Sequence, residues 1–160
     1  MKSTLRIAVA FSMIALAFSC HEKSINVVDL EVQVVVKDKN GNNLLDPKTQ
    51  GFYEHNAIKF FEIENGVKTE VVDSFIPRFE IVTAGNELRV RFTPAMQSGN
   101  GNVTRTNSIQ WRVNDEDVIE STVNRDQNNV HCNKVKCNGT IKYDDNSVDG
   151  TRVRVIEIVK

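Results

Sequence analysis

Apolar and polar positions alternate along most of the chain beyond residue 26. Leu30, Val32, Val34 and Val36 share one parity, and Glu31, Gln33 and Lys37 the other, with Val35 the exception. A period of two over this length predicts a half-buried strand from Val27 to Lys37. The same reading places strands over Ile58 to Glu64, Val67 to Val72, Val130 to Cys137, Thr140 to Tyr143 and Val153 to Val159. Leu88, Val90 and Phe92 alternate with Arg89 and Arg91, and Ile109, Trp111 and Val113 with Gln110 and Arg112. Phe75 to Val82 reads as an edge strand, because Pro77 cannot donate to a central ladder.

Turn chemistry supports the pattern. Asn65-Gly66 and Asn138-Gly139 each sit between two apolar runs. Asn-Gly tolerates the positive φ values of a tight hairpin turn, so both predict hairpins. No segment carries a 3.6-residue period long enough for a helix. The expectation is an all-β fold, an antiparallel β-sandwich of seven to nine strands, in one domain over 27–160. Two irregular stretches, Asn43–Asn56 and Pro94–Thr104, are the long loops where a contact surface would sit.

Composition sharpens this picture. From Cys20 onward there are 21 Val and 10 Ile against 3 Ala and 4 Leu, a β-branched bias that disfavours helices. Lys+Arg 20 against Asp+Glu 21 leaves no excess of positive charge for holding nucleic acid.

The first twenty residues differ from the rest. Lys2 and Arg6 precede an apolar run from Ile7 to Phe18, broken only by Ser12. That run is too short to span a bilayer core, which takes roughly 20 residues, and reads as an export signal. Leu16-Ala17-Phe18-Ser19-Cys20 resembles the lipobox of bacterial lipoproteins. The resemblance implies cleavage after residue 19, lipidation (palmitate included) of Cys20, and a polar tether over 20–26. Acyl chains contribute ~0.8 kcal/mol per buried CH2, so the partner implied is a membrane, held through lipid rather than through the fold. Without Lys2 and Arg6 the remaining chain has 18 cations against 21 acids, net −3.

Several constellations carry candidate chemistry. Asp38, Asn40, Asn42 and Asp46 place side-chain oxygens at positions 1, 3, 5 and 9 of a loop, which is calcium-like spacing. Position 6 is Asn43 and position 12 is Thr49, where such loops want Gly and Glu, and the same residues also serve as plain turn formers. Asp144-Asp145-Asn146 with Asp149-Gly150 is a second acidic turn. His131, Cys132 and Cys137 raise three options: a soft-metal site, a nucleophile and a disulfide. The spacing lacks paired CxxC motifs, and no base is named for a nucleophile. Export favours a Cys132–Cys137 disulfide, whereas the Asn138-Gly139 turn makes residues 130–137 one strand and separates the pair by about 16 Å. The sequence leaves that conflict standing.

Arg89, Arg91, Arg112, Arg152 and Arg154 read as outward-facing, either a cationic stripe or ordinary cross-strand pairs. Trp111, Phe60, Phe61, Phe92 and Tyr143 read as core or as a sugar-stacking platform, with the parity of Trp111 favouring burial.

Asp38-x-Asn-Gly-Asn-x-Leu-Leu-Asp-Pro47, the Ile58–Gly66 hairpin, Trp111 with Asp115-x-Asp117-x-Ile119, and Cys132-x-Lys-Val with Asn138-Gly139 together resemble small uncharacterised lipoproteins of the Bacteroides group. The resemblance covers most of the chain after Cys20. It implies an outer-membrane lipoprotein with an immunoglobulin-like or transthyretin-like β domain, and it brings no functional residues with it. Glu22 alone follows Cys20 as an acidic surface-export cue, so the periplasmic and surface faces both stay open. The functional expectation is a non-enzymatic, lipid-anchored binding or structural module of the cell envelope, with a glycan or a protein as partner. A calcium-dependent carbohydrate-binding domain is the alternative, and an enzyme using Cys132 is a third reading.

Overall fold

The computed structural model describes residues 27–72, 78–95, 101–125, 129–144 and 154–160. Cys20, the tether over 20–26, Pro77, Arg152 and most of the second acidic turn lie outside the described residues. The described residues form eleven strands: β1 (Val27–Asp29), β2 (Val32–Lys37), β3 (Lys59–Glu64), β4 (Val67–Glu70), β5 (Phe79–Ala84), β6 (Glu87–Phe92), β7 (Gly101–Arg112), β8 (Asp115–Arg125), β9 (Asn129–Cys137), β10 (Thr140–Asp144) and β11 (Arg154–Val159). A single 3-10 turn, His55–Ala57, is the only helical element among the described residues.

The strands form two mixed sheets, consistent with a β-sandwich. The larger has the order β1-β9-β8-β7-β3-β4, with β10 also paired to β9, and the smaller the order β11-β2-β6-β5. Both sheets feed one apolar core, in which Phe60 of β3 meets Phe92 of β6 and Phe79 of β5, each at 5.1 Å between ring centroids. The Asn65-Gly66 and Asn138-Gly139 hairpins form as expected, all four residues taking positive φ.

Four expectations are corrected. The described residues carry eleven strands rather than seven to nine. Two pairings are parallel, β1 with β9 and β2 with β11. The predicted strand over 27–37 is two strands, because the chain leaves the larger sheet at Leu30-Glu31 and enters the smaller one. Residues Gly101–Thr104, expected to lie in a loop, open the long β7–β8 hairpin.

β8 was not expected at all. Its inward positions are Asp117, Ile119, Ser121 and Val123, so two polar residues hide a clean alternation. At the tip of its hairpin with β7, Asn114 takes φ 63° and Val113 stands 81% exposed, not in phase with buried Trp111. The ladder shifts register between Gln110 and Arg112, and Val113 lies in the turn beyond the end of β7.

Arg154 corrects the outward reading of the arginines. It shares the inward parity of Ile156 and Ile158 and is 3% exposed. Its guanidinium forks onto Asp29, with Nη1 to Oδ1 at 2.8 Å and Nη2 to Oδ2 at 2.9 Å. Its Nε donates to the Cys132 carbonyl, and the Tyr143 ring lies 5.8 Å from its Cζ. One residue of β11 thus holds β1 and β9 beside the point where the chain changes sheets. Removing one member of a buried ion pair leaves the other uncompensated, at about 3–5 kcal/mol. Arg154→Met is therefore expected to lower the urea midpoint sharply, and adding Asp29→Leu to recover more than half of the loss. Equal losses in the single and double variants would show that this pair does not hold the crossing.

Candidate functional site

The loop over 43–56 is tied down rather than free. Leu44 N donates to Val36 O at 2.9 Å, and Leu44 and Leu45 are buried. Asn43 anchors the turn twice: its Oδ1 accepts from Leu45 N, and its Nδ2 donates to Leu88 O, each at 2.8 Å. His55 Nε2 donates to Leu45 O at 2.7 Å, which fixes the proton on that nitrogen. Tyr53 N closes back on Leu44 O at 2.7 Å, and its ring stacks on Trp111 at 5.5 Å.

A polar network surrounds that stack. Trp111 Nε1 donates to Asp117 Oδ2 at 2.6 Å, and Asn138 Nδ2 donates to Asp117 Oδ1 at 2.8 Å. Lys160 Nζ lies 2.6 Å from Asp117 Oδ2 and 2.7 Å from Asp115 Oδ1. Tyr53 donates its hydroxyl to Asp115 Oδ2 at 2.6 Å. Burial pushes the Tyr53 hydroxyl above its usual range, and the bond to Asp115 adds to the push. Burial alone would raise Asp115, but the Lys160 ammonium and the Tyr53 hydroxyl outweigh it and hold this carboxyl low. Burial opposes charge on Lys160, yet the two carboxylates overcome it and raise its pKa. The buried network is thus well supplied with partners, as a unique core requires.

Above it lies a surface. Arg112 has its Cζ 5.3 Å from the centre of the Tyr53 ring, with its side chain largely exposed. Val113 follows it at the hairpin tip, and Phe52 precedes Tyr53 with part of its ring in solvent. Arg112 thus rests on the Tyr53–Trp111 stack, with exposed Phe52 and Val113 next to these residues in sequence.

The other candidate residues are held by local structure. Both oxygens of Asp38 serve its own turn: Oδ1 accepts from Asn40 N and Asn42 N, and Oδ2 from Asn42 Nδ2, all at 2.8 Å. The Asn42 bonds hold this carboxyl below its ordinary range. Asp46 Oδ1 accepts from Lys48 N at 2.9 Å. No group of three His, Cys, Asp or Glu side chains able to hold a metal occurs among the described residues.

Cys132 and Cys137 are free and buried, not bridged. The strand continues through 132–137, as the Asn-Gly turn requires. Both thiols still face inward, because Asn133 is an extra residue in the β8–β9 ladder and resets the parity. His131 belongs to the opposite parity from Cys132, so the adjacent pair does not converge. Among the described residues the arginine stripe is likewise absent. Arg89 bonds Glu87 and Gln33 on the smaller sheet, Arg91 bonds Glu80, and Arg112 stands on the other sheet. Phe60, Phe92 and Trp111 are core, and Lys68 covers Phe61 at 4.0 Å, which removes the stacking platform. Comparison with protein families, curated proteins and solved structures gives no match.

Two outcomes follow. Asp117→Ala strips partners from Trp111, Asn138 and Lys160 together and is expected to cost about 2–4 kcal/mol. Trp111 is the single tryptophan, so its emission should shift to the red in the same variant; an unchanged spectrum would place the network elsewhere.

Burial also pushes the Cys132 and Cys137 thiols from 9.0 up to about 11. The unfolded thiols then ionise first, the unfolded state holds fewer protons, and stability falls as pH rises from about 9 to about 11. Melting temperature should drop over that window, less steeply in Cys132→Ala/Cys137→Ala. An identical slope would assign the loss to other groups.

Proposed function

We propose that this chain is a lipid-anchored, non-enzymatic binding or structural module of the cell envelope, attached at Cys20 to the outer membrane. Its contact surface is then the patch of Phe52, Arg112 and Val113, facing a protein or glycan partner. The proposal takes the domain to be an immunoglobulin-like or transthyretin-like sandwich. Support for that finer reading comes from two sheets over one core, with the second and last strands side by side.

The observation that carries the proposal is polarity along the sandwich. β1 begins at Val27, paired with Asn129 at the start of β9. β9 starts where β8 ends and β7 begins, whereas Val113 is at the far end of that hairpin. Eleven strand steps from Gly101 to Arg112 put roughly 36 Å between the two ends. A tether entering at Val27 would thus hold the Phe52–Arg112–Val113 surface away from the membrane. A tightly based patch carrying an aromatic and an arginine has the make-up of an interface centre. Burial raises both thiols, which makes them poor nucleophiles at neutral pH and supports a binding rather than a catalytic role.

Metabolic palmitate labelling tests the anchor. The wild-type chain should label and fractionate with membranes, and Cys20→Ala should do neither. A photo-crosslinking residue at position 113 should give a discrete adduct in cells, and one at exposed position 67 on β4 should not give the same one. Labelling that persists in Cys20→Ala would remove the anchor. Matching adduct patterns at both positions, or none at 113, would remove the surface.

A further inference from the structure

β4 closes one side of the larger sheet, and among the described residues no strand pairs with its outer edge. Val67, Lys68, Thr69 and Glu70 are all exposed, Val67 at 65%. The phase of the pairing with β3 decides which of them point backbone groups outward. Val71 N donates to Phe60 O at 2.8 Å, which makes Phe60 and Val71 a bonded pair. Bonded pairs recur at every second residue of an antiparallel ladder. Glu62 with Thr69 and Glu64 with Val67 are therefore bonded too, and Val67, Thr69 and Val71 turn their N–H and C=O groups to β3. Lys68 and Glu70 turn theirs to the open side. Their side chains share the face of Phe61, where Lys68 lies over the ring at 4.0 Å and Glu70 pairs with Lys59 at 3.0 Å.

An open edge accepts a further strand unless its side chains forbid the approach, and charge is a common deterrent. Here the two positions that a new strand would bond carry opposite charges. Val67-Lys68-Thr69-Glu70-Val71 read backwards is its own complement in charge. We propose that two copies of the chain pair antiparallel along β4, about a two-fold axis between their Thr69 residues. Each Lys68 then stands opposite Glu70 of the second copy, and each exposed Val67 opposite Val71. The outward backbone groups of Lys68 meet those of Glu70, as a bonded pair requires. Sliding the copies by two residues would set Lys68 against Lys68 or Glu70 against Glu70, and like charges directly opposite are destabilising. Sliding them by one would face outward backbone groups with inward ones and lose the ladder. Charge therefore selects one register and one partner, the chain itself. The Lys59–Glu70 and Lys68–Glu116 pairs, at 3.0 and 2.6 Å, extend into a row of alternating sign across the junction. The contact covers only residues 66–72 of each copy, which places it among small, reversible interfaces. It depends neither on the Phe52–Arg112–Val113 surface nor on the lipid.

Sedimentation equilibrium of the full chain, in detergent with micelles in excess over protein, tests the pairing. The wild-type chain should pass from monomer to dimer with a midpoint on the order of 0.1 mM. Lys68→Glu and Glu70→Lys each put like charges in both facing positions and should weaken dimerisation at least about tenfold. An equimolar mixture of the two variants, and the double variant Lys68→Glu/Glu70→Lys, restore opposite charges and should dimerise as the wild type does. Disulfide trapping reads the register. Facing Thr69 residues lie about 4.5 Å apart between Cα atoms, within reach of a bridge, so Thr69→Cys should give a covalent dimer on mild oxidation that the wild-type chain does not. Val67→Cys should not, because the two copies of position 67 are about 13 Å apart along the strands. A wild-type chain that stays monomeric to about 1 mM, single variants that dimerise undiminished, a mixture that does not recover, or equal trapping at 67 and 69 would each overturn the proposal.

Discussion

The pair of Arg154 and Asp29 is the constraint around which the two sheets are arranged. The chain enters the larger sheet as β1, crosses at Leu30-Glu31, and becomes an inner strand of the smaller sheet as β2. Such a crossing exposes backbone groups of two sheets to each other at a corner. Arg154 fills that corner from β11 with its fork on Asp29 of β1 and its Nε on the Cys132 carbonyl of β9. Buried charge is a poor source of net stability but a strong source of uniqueness, since a slipped register would strand it. A one-residue shift of β11 would turn Arg154 outward and Val155 inward, losing the pair and leaving Asp29 half-buried without its partner.

Polar groups inside the core fall into two kinds. At one end, Trp111, Asp117, Asn138, Lys160, Asp115 and Tyr53 satisfy one another, and the exposed patch above them inherits their rigidity. At the other, Arg105 sits inside with a distant partner. The cross-strand pairs on the outer faces, such as Lys59 with Glu70 and Lys134 with Asp144, are screened and contribute at most about 1 kcal/mol each. Specificity therefore resides in the inward charges, and the outward ones serve solubility.

Much of the architecture was legible from periodicity and turn residues. Both Asn-Gly hairpins, the alternation in β6, the burial of Trp111 and the all-β class follow from local chemistry that the tertiary fold did not override. What escaped the sequence has specific physical causes. β8 was hidden because Asp117 and Ser121 occupy inward positions where an apolar residue is expected. The bulge at Asn133 flips parity midway along β9, which no count by twos can reveal. Arg154 was assigned outward because charge on a strand normally is, and only its partner, 125 residues away, makes burial tolerable. The buried network around Tyr53 drew together positions 53, 111, 115, 117, 138 and 160, and no local spacing signals such a convergence. In the Asp38 loop both oxygens of that carboxylate accept from Asn40 and Asn42 of its own turn, a local use that the spacing also fits.

The placement of β2 has a kinetic side. Val32, Val34 and Val36 fill the middle of the smaller sheet, yet one flanking strand is β11, whose Glu157 lies 120 residues beyond Lys37. Until that late segment is made, Val-Gln-Val-Val-Val-Lys is an apolar, uncharged-centred ribbon with an open edge, the kind of stretch that recruits itself into fibrils. Closing so wide a loop is slow and must precede the contacts that reward it. The edge of β2 therefore stays open until its late neighbour is made.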